Sequence, residues 1–124
     1  MANECIPLYR PGLDITAVTT GAVTGKTFVD YSAALTTGLV SVNTATAAGK
    51  VAGVAAYDAA SGARVAVIRG KGQIVPMTAG GTITALAEVE VGSSGRPVAF
   101  SAGVKVGRAL SAGSSGNEVM IELY

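Results

Sequence analysis

Apolar and polar positions alternate with period two through most of this chain, and helical spacing is nowhere sustained. Val65 and Val67 alternate with Arg64 and Ala66. Val119, Ile121 and Leu123 alternate with Glu118, Met120 and Glu122, and Glu88 to Val91 alternates strictly. Residues 14–18, 26–31, 39–42, 82–84 and 96–100 read as further short strands. The stretch 26–31 (KTFVDY) is rich in residues that favour a pleated surface. Residues 71–77 (KGQIVPM) carry Pro76 inside an apolar run, which makes them an edge or a short strand. Gly80-Gly81 and Ser93-Ser94-Gly95 mark turns, residues 43–48 a loop, and residues 32–38 a loop or a short helical turn. Turn signals recur at about 8–12 residues, the spacing of a sandwich or barrel. The expected fold is all-β: a small single-domain β-barrel or β-sandwich with at most one short helix.

One stretch occurs twice. Residues 49–70 (GKVAGVAAYDAASGARVAVIRG) return in looser form at 103–124 (GVKVGRALSAGSSGNEVMIELY). Gly53 falls on Gly107, Ala55 on Ala109, Ser61-Gly62 on Ser115-Gly116, Val65 on Val119 and Val67 on Ile121. Each copy reads as a strand, a loop closed by Ser-Gly, and a second strand. Glycine supplies the left-handed backbone that residues with a Cβ resist.

Ahead of the sheet, residues 1–13 form an extended N-terminal arm, and 14–124 form the β domain. Pro7 and Pro11 lack backbone donors and bias Ile6 and Arg10 towards extended geometry. Ile6, Leu8 and Tyr9 need a surface to lie on. The dispositions open to it are docking on a partner by strand addition or pocket filling, and folding back on its own domain or simply fraying as a terminus.

Composition narrows the function classes. At 124 residues the chain is one domain. Tryptophan is absent, aromatics are 5% and the apolar fraction of 49% is mostly Ala and Val, so the core is thin for a monomer. Charged residues are 14%, with net charge +1 and no basic run, which argues against nucleic acid. A surface so poor in charge suits a protein that meets other protein. Without histidine there is no His-based acid–base chemistry and no His metal ligand. The single cysteine, Cys5, excludes an internal disulfide and a Cys-cluster metal site. No cofactor or metal is expected. No apolar run reaches membrane-spanning length, and no signal peptide is visible, so the expectation is a protein made in the cytosol with no membrane partner.

Few residues suggest chemistry. Thr24-Gly25-Lys26-Thr27 resembles part of a phosphate-binding loop, but Gly21 is one position too close and a strand follows where a helix is needed. Glu88 and Glu90 share a strand face about 6.8 Å apart by strand rise, a spacing that overlaps glycosidase carboxylates. Val89 and Val91 take the core side, so both glutamates are expected on the wet face. Asp58 and Ser61 read as turn-formers, and Cys5 has no base beside it. No catalytic residue is assigned.

The arm, NECIPLYRPG, followed by DITAVTTGAVTGKTFV, the repeat KVAGVAAYDAASGARVAVIRG, the stretch GTITALAEVEVGSSGRPV and the closing GVKVGRALSAGSSGNEVMIEL together resemble the small capsid decoration proteins of tailed bacteriophages, especially those of actinobacterial hosts. The resemblance implies a non-enzymatic protein of the virion exterior that stabilises contacts between major capsid protein subunits and is commonly a homotrimer at local three-fold positions. It also implies a capsid-binding arm, which here falls on Ile6, Pro7, Leu8, Tyr9, Arg10 and Pro11. The alternatives from other classes are a small β-barrel that binds a ligand or peptide, and a β-domain hydrolase using Glu88 and Glu90.

Overall fold

A computed structural model describes residues 14–35 and 38–124. The arm lies outside the described residues. Ten strands follow one another: β1 (Ile15–Thr19), β2 (Phe28–Ala33), β3 (Val40–Thr44), β4 (Gly53–Ala55), β5 (Arg64–Ile68), β6 (Ile74–Thr78), β7 (Glu88–Val91), β8 (Pro97–Ala99), β9 (Gly107–Ala109) and β10 (Glu118–Leu123). The first five close into a barrel, β1-β3-β2-β4-β5, in which β1 pairs with both β3 and β5. The second five form an open sheet, β6-β10-β9-β7-β8. The fold is all-β, and β6 with its proline is an edge strand. Among the described residues of 32–38 there is no helical turn, and β2 runs on to Ala33. The one 3₁₀ turn among the described residues is Ser93–Gly95, and it is broken by the left-handed Ser94 (φ 59°). Residues 82–84 give only an isolated bridge, Ile83 to Gly113. Part of 43–48 extends β3 instead of looping.

The two halves carry the same hydrogen-bond scheme. Val23 bridges Ala59 as Ile83 bridges Gly113. The N–H of Lys26 donates to Ala55 as that of Leu86 donates to Ala109, and both residues are left-handed (φ 63° and 70°). Ala55 lies opposite Val67 as Ala109 lies opposite Ile121. Gly62 and Gly116 sit at φ 82° and 84°, each with open space where a Cβ would point. Their role is therefore conformational, the turn chemistry that the Ser-Gly pairs imply.

The halves differ where the first one closes: β3 supplies Val40, Ser41 and Val42 to β1, whereas β8 begins only at Pro97. In the parallel β1–β3 ladder, Thr19 is the partner of Val42, and the Val42 carbonyl accepts from Thr20 N–H at 3.0 Å. Parallel geometry sends the Val42 N–H back to the other side of Thr19. At the matching place in the second half stands Pro97, opposite Val91 as Val42 is opposite Tyr31. Its carbonyl accepts from Gly80 N–H at 2.8 Å, but proline has no donor for the return bond. The β6–β8 ladder stops there.

The cores follow from this. Ile15, Ala17, Val23, Val29, Val42, Ala55, Val65 and Val67 fill the closed barrel. The second core gathers Met77, Ile83, Val89, Val91, Val119 and Ile121, and it also takes Phe28, Ala45 and Val54 from the first half. On β2, Phe28 and Val29 are adjacent and both fully buried, one towards each core. Strands buried on both faces lose the alternation that marks a half-exposed strand. The second sheet packs its open side on the outside of the first barrel.

Candidate functional site

The polar groups singled out in the sequence are dispersed over three places. The first is the loop 24–27. Asp58 Oδ1 accepts from the Gly25 N–H at 2.8 Å, so a carboxylate occupies the donor that a phosphate would use. Asp58 therefore ties two loops together instead of forming a turn of its own. Lys26 Nζ donates to Glu118 Oε2 at 2.7 Å, and the Lys26 carbonyl accepts from Thr78 N–H. The loop runs into β2, not a helix. Its lysine links the two halves.

The second is the outer face of β7. Glu88 and Glu90 share that face as the alternation predicts, but they do not share an environment. Glu88 accepts from Tyr124 Oη at 2.7 Å, and Lys105 Nζ lies 3.1 Å from its other oxygen. These two hydrogen bonds, Tyr124 first, hold the Glu88 carboxyl below its ordinary range. The same bond raises the Tyr124 hydroxyl. Lys105 also lies over the Phe100 ring, 5.1 Å from its centroid. Arg108 stands opposite both Glu88 and Glu122, so charge alternates across the sheet.

Glu90 is not on the wet face: it is 6% exposed. The loop after β8 folds back over β7, and Ser101 donates its backbone N–H to Glu90 Oε1. A Cβ on Gly103 would strike the Glu90 carboxylate and the backbone of Ala48, so the loop passes that close only because residue 103 is glycine. Alternation gives the face of a side chain and is silent about what later crosses that face. The Gly103 in a loop four residues past β8 is the only sequence sign of the close approach. One glutamate held ionised and the other covered by a loop do not make an acid–base pair open to a substrate.

The third place is the β2–β3 hairpin. Ten residues lie between the partners Tyr31 and Val42, but five between Val91 and Pro97. The extra length begins at a bulge between Tyr31 and Ala33, and its described residues through Leu35 are exposed. Tyr31 is 51% and Leu35 47% exposed. Sequence reasoning did not single out this hairpin. Its sign was an uncharged run, YSAALTTGLVSV, from Tyr31 to Val42. The arm residues Ile6, Pro7, Leu8, Tyr9, Arg10 and Pro11 lie outside the described residues. No cluster of metal-binding side chains exists among the described residues.

No known family matches this sequence, and no curated protein does. A solved structure does. The chain is similar in fold to the crystal structure of the N base of the head fibre gp8.5 of bacteriophage phi29, with a TM-score of 0.77 and 18% identity. The likeness covers 90% of this chain and 93% of that one. It therefore spans both halves, the closed barrel and the open sheet together. At this identity the likeness is one of fold.

Proposed function

We propose that this chain is a structural, non-enzymatic protein of a tailed-phage head that binds the outside of the mature capsid and stabilises contacts between major capsid subunits. The observation that carries the reading is the fold shared, over nine-tenths of the chain, with the base of a phage head fibre. The resemblance of the arm and the repeats to decoration proteins of actinobacterial phages supports it independently. A protein that binds only the mature lattice stabilises that lattice by linkage. A homotrimer engages several sites at once, so weak contacts sum to a firm one. A charged fraction of 14% fits a surface that meets protein.

In this reading the arm is the tether. Ile6, Leu8 and Tyr9 fill apolar pockets, Arg10 pairs with a carboxylate at the rim, and the prolines lower the entropy lost on docking. Deleting residues 1–11 is expected to leave a folded protein that no longer binds heads. Melting, size in solution and co-sedimentation with undecorated mature heads check this. Truncated protein that sediments at full occupancy removes the arm from the mechanism. Truncated protein that does not fold moves the arm into the core.

A further inference from the structure

We propose that the crevice where the two halves meet, around the side chain of Arg69, takes the carboxylate of an acidic side chain from a partner protein. Placing that partner in the capsid shell rests on the capsid-binding reading; the site itself does not.

The repeat shows what is unusual there. The offset that sets Gly53 on Gly107 and Val67 on Ile121 also sets Arg69 on Leu123. Gly107 lies opposite Leu123 in the β9–β10 ladder. The β4–β5 ladder, with Val54 opposite Ile68, brings Gly53 to Arg69 in the same way. Leu123 is 4% exposed and belongs to the second core. The first half thus carries a guanidinium where its copy carries a core leucine. The same backbone scheme is built without the charge in that copy.

Arg69 and Leu123 line one crevice. Its other walls are Val51, Ala52 and Gly53 from the first half, with Val106 and Tyr124 from the second. The offset sets Ala52 on Val106, so matching positions of the two copies share the seam. The crevice has a volume of about 50 Å³. One water needs about 10–15 Å³, so a carboxylate group fits. The backbone on both sides is tied. Gln73 Nε2 donates to the Arg69 carbonyl at 2.6 Å, and Gly72 N–H donates to the Leu123 carbonyl at 2.8 Å.

The arginine is unspent. Its Nε is buried and has no acceptor among the described residues. Arg69 is in neither of the ion pairs that the described residues form, Lys26 with Glu118 and Lys105 with Glu88. A buried N–H without an acceptor is costly to keep. Arginine offers its N–H groups as a fork that a carboxylate meets with both oxygens, and arginines of this kind anchor protein interfaces.

The walls select the acid. One guanidinium balances one negative charge. Val51, Val106 and Leu123 suit the methylene stem of an aspartate or glutamate, whereas a phosphate would set more charge against the same apolar walls. The surroundings draw an acid in as well. Lys50, Lys71 and Lys105 each adjoin a wall residue in sequence, and all three are exposed. Of the nearby carboxylates, Glu88 is engaged by Tyr124 and Lys105, and Glu122 stands opposite Arg108.

The test reads the Arg69 Nε–H resonance of the full-length protein while propionate, which copies the stem and head of a glutamate, is titrated in. Inorganic phosphate is the comparison. The Arg69 resonance is expected to move saturably with propionate and less with phosphate. That of Arg108, whose Nε already donates to the Leu86 carbonyl, is expected to stay. In parallel, full-length variants are titrated by co-sedimentation against mature heads that lack this protein, with melting measured alongside. Arg69→Leu, which copies the second half, is expected to melt no lower than the parent and to bind heads about tenfold more weakly. Arg69→Lys keeps the charge without the fork and is expected to weaken binding in the same direction. Arg64→Leu, at an exposed position of the barrel, is expected to bind as the parent. An Arg69 resonance that ignores propionate overturns the proposal, and that arm needs no variant to fold. An Arg69 Nε–H already bonded to a carboxylate of its own chain, or an Arg69→Leu protein that unfolds, makes the arginine structural and also overturns it. A propionate response with Arg69→Leu that sediments in full leaves a site for a free small carboxylate and overturns the protein partner. A parent protein that responds to propionate but does not sediment with heads overturns the capsid reading and leaves the crevice standing.

Discussion

Val42 and Pro97 occupy the same place in the two halves, opposite Tyr31 and Val91. Around valine the sheet closes, and the barrel holds a core of its own made almost wholly of Ala and Val. Around proline the sheet stays open, and its core is completed by Phe28, Ala45 and Val54 from the first half. A ladder repeated in most of its bonds thus yields two kinds of layer, one self-sufficient and one that takes residues from its neighbour.

The comparison can be broken most severely at its cores. Val65→Asp in the closed barrel and Ile121→Asp in the open sheet each put a charge at a fully buried position. Each is expected to cost several kcal/mol and leave little folded protein, as chemical denaturation will show. Next comes the joint between the halves. Phe28→Ala is expected to cost about 3–5 kcal/mol. Because Phe28 belongs to the first barrel by strand and to the second core by contact, hydrogen exchange is expected to rise across β6–β10 as well as in β2. Protection lost in β2 alone would make the halves independent.

Smaller effects sharpen the difference between the two glutamates. Glu90→Ala strands the Ser101 N–H and opens space under the loop, at an expected cost of about 1–3 kcal/mol. Lys26→Ala removes one half-exposed ion pair between the halves, worth about 0.2–1 kcal/mol. The smallest change is at Glu88. Its carboxyl is lowered in the folded protein, so its contribution is present above the unfolded value and fades as pH falls through the folded one. The raised Tyr124 hydroxyl contributes below its unfolded value and fades as pH rises through its folded one. Tyr124→Phe is expected to move the Glu88 titration back towards the ordinary carboxylate range in an NMR pH series, with little change in melting.

Period-two alternation was enough to place β5, β7 and β10 and the faces of Val65, Val67, Val119 and Ile121, because one side of each strand meets a core and the other does not. Pro76 marked an edge because a proline cannot serve an interior ladder. What stayed hidden were contacts made by segments far apart in sequence. Glu90 sits on the face that alternation assigns, and a later loop covers it. Phe28 and Val29 obey no alternation because layers lie on both sides of β2. Asp58 spends its carboxylate on Gly25, thirty-three residues away. The hairpin tip was passed over because small uncharged residues read equally well as a loop. The arm, the most legible candidate by composition, lies outside the described residues.

The two prolines of the second sheet have a consequence for neighbouring copies. Strands β6 and β8 are its outer members. On β6, Ala79 and Leu123 bonds to and from β10 fix the odd-numbered residues as the inward-bonding set, so Pro76 turns its missing donor outward. On β8, the Gly92 and Phe100 N–H bonds fix Arg96 and Glu88 as inward acceptors, so Pro97 does the same. Both rims are therefore interrupted where another sheet would hydrogen-bond to them. The Thr78 N–H on the β6 rim is already spent on the Lys26 carbonyl, so neither rim offers a neighbouring copy an unbroken ladder.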